Sequence, residues 1–357
     1  MNKLITIDCR MIDASGIGVY LKGCLPFLLQ SNNNFILIGD TKKLNEFGKL
    51  QNTKVIECII KPFSVKELLF FPSKTIKIIN KSDIYFSPFF NIPFGIKIPI
   101  FTTIHDIIFP DMPELSSKAG FALRMFFYRR AYKKSKIVFT VSNFSKSRIE
   151  YHLGTSNKVI VTYNAARNAF LEYKTVNKNI KKENTIIFIG NIKKHKGLDY
   201  LLDAFTLAKE EGLPHKLLII GSKDNFRTSD NAVFKKIDSI KDNSVSITGL
   251  ISDDKLMELL ASSSLLVQPS LYEGFCIPPL EAMVIGTKAL ISDIPVLKEI
   301  YADFPVVYFK AGDTMNLKEN IIELLLDKEI KPFCLTDELL DKYSFSKTAS
   351  VILEHLF

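Results

Sequence analysis

The sequence predicts an α/β fold of two doubly wound domains in tandem. Three observations lead there. The chain has 357 residues, more than one hydrophobic core ordinarily organises. Short β-branched apolar runs alternate with longer amphipathic stretches, the pattern of βα units on a mostly parallel sheet. The alternation pauses once, near residue 172, and then restarts.

In chain order, "LITIDCR", "FILIGD", "KVIECII", "DIYFSP", "IPIFTTIHD", "KIVFTVS" and "KVIVTYN" read as strands. Each is rich in β-branched and aromatic residues and is bounded by turn residues. "GVYLKGCLPFLLQ" and "FALRMFFYRRAYKKS" read as helices among them. The pause, "EYKTVNKNIKKENT", is polar and lysine-rich with no apolar period, and reads as a linker or long surface loop. Beyond it "TIIFIGN", "KLLIIG", "SVSITG", "SLLVQPS", "KALISD" and "PVVYFK" are strands. "GLDYLLDAFTLAKEEG", "SDDKLMELLASS" and "PPLEAMVIG" are the helices between them. The last segment, "SFSKTASVILEHLF", has apolar residues at helical spacing and is read as a closing helix. The expected division is residues 1–172, residues 173–338 and a closing helix within 339–357, packing near the first domain.

Composition narrows the classes. With 47% hydrophobic and 24% charged residues the chain is ordinary globular protein, not a disordered one. No run of about 18 apolar residues is present, so no spanning helix is expected. The opening "MNKLITIDCRMID" brings acidic residues too early for a secretory signal region. Five scattered cysteines, Cys9, Cys24, Cys58, Cys276 and Cys334, form no CxxC pair, which points to reduced thiols in a cytoplasmic protein. No HExxH pair occurs, so no histidine-held catalytic metal is expected. The net charge of +9 suits an anionic partner: nucleic acid, an anionic membrane surface or a phosphorylated substrate. A lysine-biased surface with no partner gives the same number. Neither a zinc-finger nor an RNP signature supports nucleic acid, and none is expected as a partner.

In open parallel sheets ligands bind beyond the carboxyl ends of the strands. Four stretches there carry chemistry. "SGIGVY", residues 15–20, places Gly16 and Gly18 at a helix start, where an anion could approach the backbone. Leu21 stands where a dinucleotide fingerprint needs a third glycine, and a plain loop-to-helix turn would look alike. "FTTIHDIIFP" ends a strand with His105 and Asp106; a histidine there can donate to a sugar hydroxyl or share a proton, or be structural. "FIGNIKKHKGLDYLL" sets Lys193, Lys194, His195 and Lys196 at the opening of a helix. Cations oppose the dipole at that end by about 0.3 to 1 kcal/mol each, which an anionic ligand would offset. "SLYEGFCIPPLEAM", residues 270–283, carries Glu273 in an exit loop and Glu281 in the first turn of a proline-started helix. The macrodipole alone would favour Glu281. Two carboxylates also suit a ligand with a diol at each end, a sugar and a ribose.

Together "EGFCIPPLEAM", "GNIKKHKGL", "TIHD" and "SGIG", with "KIVFTVSNFSKSRI" and "SDIPVLKEIY", closely resemble the retaining glycosyltransferases of family 4. The resemblance runs over most of the chain in the right order. It implies the GT-B fold: two Rossmann-like doubly wound domains facing a cleft, the first binding the acceptor and the second the nucleotide-sugar. It implies that Glu281 holds the ribose and Glu273 the donor sugar, with Gly274, Phe275 and Cys276 offering backbone N–H groups. It gives Lys196 the diphosphate, Gly16 a close backbone approach to it, and His105 the donor sugar. Asp106, Gly190 and Asn191 complete the expected donor site, and His105, Glu273 and Lys196 the expected catalytic set. Two positions depart from the family: Asn191 replaces a common arginine, and Cys276 replaces a common glycine.

Breaking the sugar–phosphate bond leaves negative charge on the departing diphosphate, which Lys196 and helix N–H groups are placed to stabilise. The chain has no Asp-x-Asp triplet, so no metal and no cofactor are expected. The expected partners are a nucleotide-sugar and a glycan or lipid-linked acceptor, with a lean toward mannosyl transfer in surface polysaccharide or lipopolysaccharide assembly. Residues 123–136, with six basic residues and no acidic one, are a candidate contact with the inner face of the cytoplasmic membrane; a helix with packed aromatics and solvated charges fits them too. The alternatives are a nucleotide-sugar epimerase of the same fold and a nucleotide-sugar-binding subunit without turnover. An NAD dehydrogenase is the most distant.

Overall fold

A computed structural model describes residues 2–176, 180–221, 231–240, 242–326 and 335–357. Cys334 and residues 177–179 of the expected linker lie outside them. The chain divides into two compact units, residues 1–165 with 341–357, and residues 166–340.

The N-terminal unit is built on seven strands: β1 (Leu4–Asp8), β2 (Asn34–Gly39), β3 (Thr53–Glu57), β4 (Ile84–Ser87), β5 (Ile100–Thr103), β6 (Ser135–Thr140) and β7 (Val159–Val161). Their order is β3-β2-β1-β4-β5-β6-β7, every neighbour pair parallel. Helices cover both faces, so the central strands are apolar throughout and not alternating. β1, β2 and β4 are buried nearly end to end. One core gathers Ile5, Ile7, Leu25, Leu28, Phe86 and Phe139; the opposite face gathers Ile38, Tyr85, Tyr128 and Val138.

The C-terminal unit repeats the plan with β8 (Glu183–Ile189), β9 (Lys216–Ile220), β10 (Val245–Gly249), β11 (Ser263–Gln268), β12 (Lys288–Ser292) and β13 (Val307–Phe309). The order β10-β9-β8-β11-β12-β13 reads 3-2-1-4-5-6 from the unit's own first strand. That is the dinucleotide-fold order, whose direction of winding reverses between strands 1 and 4. Here the reversal falls between β8 and β11, which pair in parallel register with Leu265 opposite Ile186. The crevice beyond their carboxyl ends is where physics places a ligand.

Two parts of the expected division can be set beside the structure. The stretch 172–185 is not a linker throughout: helix Asn168–Val176 opens the C-terminal unit with Phe170 buried, and β8 starts at Glu183. The units therefore part at Ala165, ahead of residue 172. The closing helix, Phe345–Leu356, belongs to the N-terminal unit. Ser344 caps it by accepting from the Lys347 N–H at 3.3 Å. Phe345, Ala349, Ile352 and Leu356 join the core around Cys24 and Leu28. Phe345 fills a notch that exists because residue 23 is glycine: a Cβ there would lie 2.2 Å from the ring.

Candidate active site

The first arm of the site is the loop leaving β8. It turns at Gly190–Asn191, makes one 3-10 turn over Lys194–Lys196, and enters helix Leu198–Glu210 through Gly197. Gly197 is left-handed (φ +67°) and has no room for a side chain, since a Cβ would stand 1.9 Å from the Pro269 carbonyl oxygen. The second arm is the loop leaving β11. It lies against the first backbone to backbone. Leu271 N–H and Tyr272 N–H donate to the His195 carbonyl at 2.8 and 3.4 Å. This contact sets the heads of two side chains together.

Lys196 Nζ donates to Glu273 Oε1 at 2.6 Å and Oε2 at 2.8 Å, and Ser270 Oγ donates to Oε1 at 2.7 Å. Glu273 is only 8% exposed. Burial pushes its carboxyl up, but the Lys196 ammonium and the Ser270 hydroxyl outweigh that and hold it below the usual carboxylate range. Burial and the neighbouring Lys196 push the His195 imidazole down to about 3, so His195 is neutral here. The resemblance assigned Lys196 to the diphosphate and Glu273 to the donor sugar, with no contact between them foreseen. The structure makes them one ion pair in the crevice between β8 and β11.

Two further residues of this pair's surroundings went unnoticed in the sequence. Ser270 is one. The other is Gln268, the last residue of β11, whose amide donates to Ser270 Oγ at 3.3 Å. Its Oε1 is buried and has no partner among the described residues. Gly274, Phe275 and Cys276 continue the loop and are buried.

Cys276 adopts φ +73°, a conformation that costs a side chain of order 1–3 kcal/mol. Its carbonyl accepts from the Tyr301 hydroxyl, which fixes the backbone there. The departure from glycine was visible in the sequence; its cost was not. At an ordinary buried position glycine is worse than alanine. At position 276 the order is expected to reverse, Cys276→Gly being more stable than Cys276→Ala by about 1 kcal/mol in denaturant titration. Equal or opposite ranking would mean that the loop relaxes out of the left-handed region.

Glu281 sits in the first turn of helix Pro278–Val284, 2% exposed. It is not held there by the helix alone. Arg167, a residue in no motif, donates from Nε to Oε1 at 2.7 Å and from Nη2 to Oε2 at 2.8 Å.

The N-terminal unit carries the remaining predicted residues. His105 follows β5 with its ring edge against Tyr20, centroids 5.0 Å apart. Its Nε2 lies 2.9 Å from the Pro88 carbonyl oxygen. A carbonyl only accepts, so Nε2 carries the proton. Burial drives the imidazole down to about 4 against the opposing pull of that bond. His105 is thus neutral, with Nδ1 as its lone-pair nitrogen. In this tautomer Nδ1 is the nitrogen left to accept a hydrogen bond. Asp106 Oδ1 accepts from the Ile108 N–H at 3.2 Å, turning the chain into its next helical turn. Gly16, second in helix Ser15–Leu29, is exposed, and a Cβ on it would meet nothing within 4 Å. Nothing in its own unit demands glycine. Gly18 is structural by contrast, with a Cβ 2.5 Å from the Ile12 carbonyl oxygen.

A buried network in the same unit was also invisible in the sequence. Beyond the carboxyl ends of β1 and β4, Arg10 pairs with Asp8 and Glu67 at 2.7 Å each, and the Tyr85 hydroxyl donates to Asp8 at 2.7 Å. The network ties the segment 58–71, which includes helix Val65–Phe70, to β1.

Residues 170–333 match the family model described as glycosyl transferases group 1. That stretch is similar to the family and makes up a little under half of the chain. It contains Lys196, Glu273 and Glu281, while Arg167 lies just before it. The chain is 24% identical over 275 residues to O-antigen chain mannosyltransferase B of Escherichia coli, covering 74% of this chain and 71% of that protein. It is 29% identical over 204 residues to O-antigen chain mannosyltransferase RfbU of Salmonella typhimurium, covering 56% and 53%. The chain thus spans about half the length of the second relative. Among solved structures, Anabaena HepE in complex with UDP-glucose is similar with a TM-score of 0.72 at 16% identity, over 99% of both chains. A glycosyltransferase from Rickettsia africae has a TM-score of 0.68 at 16% identity, over 99% of this chain and 97% of that one. These likenesses are to the fold, two parallel α/β sheets of the GT-B kind.

Proposed function

We propose that this group 1 glycosyltransferase moves a sugar, with retention of anomeric configuration and without a metal, from a nucleotide-diphosphate-sugar to a glycan or lipid-linked acceptor of a surface polysaccharide. The Lys196–Glu273 pair in the β8–β11 crevice carries this reading. A largely buried ion pair sets an ammonium and a carboxylate side by side. The ammonium suits a diphosphate whose charge grows as the glycosidic bond breaks, and the carboxylate suits sugar hydroxyls. When the donor arrives, Lys196 turns toward the diphosphate and Glu273 toward the sugar. N–H groups of residues 274–276 and of helix Leu198–Glu210 add to the stabilisation of the leaving group. Glu281 takes the ribose. His105, neutral, accepts from a sugar hydroxyl, and Gly16 admits the diphosphate to a helix start. The metal-free part rests on the absence of an Asp-x-Asp triplet and on this protein-borne cation. The names of the two O-antigen relatives favour mannose as the transferred sugar.

A thermal-shift screen of nucleotide-sugars, followed by donor hydrolysis without acceptor, tests the reading. A GDP- or UDP-sugar that stabilises the protein and is slowly hydrolysed is the expected result. A 2-epimer formed from the donor alone would make it an epimerase, and stabilisation with no turnover at all would make it a binding subunit.

The acceptor side of the proposal includes a membrane. Helix Lys118–Lys134 buries Met125, Phe127, Tyr128, Ala131 and Tyr132. Arg124 and Arg130 stack on Phe109 and Phe94 at 4.0 and 4.2 Å, so part of its charge is spent within the fold. The outer face keeps Leu123 and Phe126 half exposed beside Arg129, Lys133 and Lys134. Apolar side chains rimmed by cations fit the surface of an anionic bilayer. Among the described residues no helix is long and apolar enough to cross one. Flotation with anionic liposomes is expected, lost in high salt and in a Leu123→Ser, Phe126→Ser variant. Equal flotation with neutral liposomes would end the electrostatic part of the proposal.

A further inference from the structure

Glu281 is surrounded in a way its proposed task does not require. Three N–H groups of one residue converge on its carboxylate: Arg167 Nε at 2.7 Å, Nη2 at 2.8 Å and the Arg167 backbone N at 3.3 Å. The remaining arm of the fork, Nη1, donates to Asp253 at 2.5 Å. Phe170 supports the guanidinium from the side, its ring centroid 4.6 Å away. Glu281 is 2% exposed, whereas Arg167 is 20% and Asp253 62% exposed at their side chains. The arginine is thus wedged between a buried carboxylate and a solvated one.

A bidentate arginine fixes the plane of its partner, which a lysine cannot do. A carboxylate offers about four lone-pair positions, and the three N–H groups occupy three. What is left on Oε2 points in a single direction set by the arginine. Nothing about helix capping calls for such a clamp, because the macrodipole would favour Glu281 without it.

We infer that Arg167 is a positioning residue for nucleotide recognition: it holds the Glu281 carboxylate in one plane, so that it accepts from a ribose hydroxyl. This rests on the assignment of Glu281 to the ribose. Arg167 acts through Glu281, and the exposed Asp253 holds the far arm of the fork while it does so. The ligand class that gains is a ribonucleotide; a nucleotide lacking the 2′-hydroxyl loses the bond that Arg167 prepares. Discrimination, rather than overall affinity, is the property that Arg167 supplies.

Calorimetric titration of the whole chain with UDP and GDP, each against its 2′-deoxy form, tests it. Wild type is expected to prefer the ribonucleotide by about 10-fold or more, the value of one hydrogen bond to a charged group. In Arg167→Ala that preference is expected to fall below about 3-fold, with affinity for the 2′-deoxy form changed little. Arg167→Lys, which keeps the charge without the fork, is expected to restore part of the preference and covers the case in which the alanine variant does not fold. With a turned-over donor, both variants are expected to raise KM more than they lower kcat. Equal weakening of both nucleotide forms would make Arg167 merely structural and overturn the inference. So would an intact preference in Arg167→Ala. A wild type without any preference would instead remove Glu281 from the ribose, and the inference with it.

Discussion

Replacing Lys196 by alanine is expected to lower kcat for sugar transfer by roughly 10²-fold or more, the scale of losing one donor to a developing oxyanion. The ammonium is joined to Glu273 at 2.6 and 2.8 Å, in the crevice at the strand-order reversal. Its loss acts twice. The leaving diphosphate loses its counter-charge, and Glu273 is left buried without the partner that keeps its carboxyl below the usual range. Burial then dominates and the carboxyl moves up. The sign for stability follows. In wild type the depressed carboxyl contributes stability above its ordinary value of 4.5, lost as pH falls through the folded value. In Lys196→Ala that acid-side dependence shrinks or inverts. The double variant Lys196→Ala, Glu273→Gln separates the effects: it is expected to regain stability without regaining rate. Single-turnover transfer beside denaturant titration reads both. A kcat unchanged in Lys196→Ala removes the lysine from the leaving-group role.

Gly197→Ala is expected to be the most damaging single methyl in the C-terminal unit. The left-handed φ of +67° alone costs an alanine of order 1–3 kcal/mol. The added Cβ would also stand 1.9 Å from the Pro269 carbonyl oxygen, which is backbone and cannot swing aside. The two loops must part, and with them the His195 carbonyl loses the N–H groups of Leu271 and Tyr272. Lys196 precedes the substitution and Glu273 follows those N–H groups, so the ion pair opens. Both a lowered midpoint in urea and a loss of donor binding are expected. A variant with wild-type stability and affinity would show that the loops are not held by this contact. Gly16→Ala is the natural comparison, because a Cβ there meets nothing within 4 Å of its own unit.

Much of this architecture could be read from the chain. The strands were legible because a parallel sheet covered on both faces demands unbroken apolar runs, and "TIIFIGN" or "SLLVQPS" have no other good use. Lys196 and Glu273 were legible because each follows such a run, where a doubly wound sheet places ligands. Their pairing was not. It joins positions 77 residues apart and depends on Gly197 meeting Pro269, a backbone contact with no side-chain signature. Arg167 was hidden for the same reason: it lies 114 residues from Glu281, in a stretch without motif or period. In the network of Asp8, Arg10 and Glu67, Arg10 and Glu67 are 57 residues apart, and in sequence the three look like scattered surface charge. His105 shows a finer limit. Its position was readable, but which nitrogen holds the proton was decided by a carbonyl 17 residues away. The first part of the pause near residue 172 is helical, which its lysines hid: it continues the helix Asn168–Val176 that Phe170 anchors.

The closing helix bears on how this protein can be recombined. Its apolar face completes the core of the first unit, with Phe345 seated over Gly23, although the helix is encoded after the whole second unit. The second unit is therefore an insert between two pieces of the first. A chimera that exchanges the second units between relatives by one crossover would pair a foreign closing helix with the resident notch. Two junctions, one near Ala165 and one near Asp341, keep Phe345 with the glycine it was matched to.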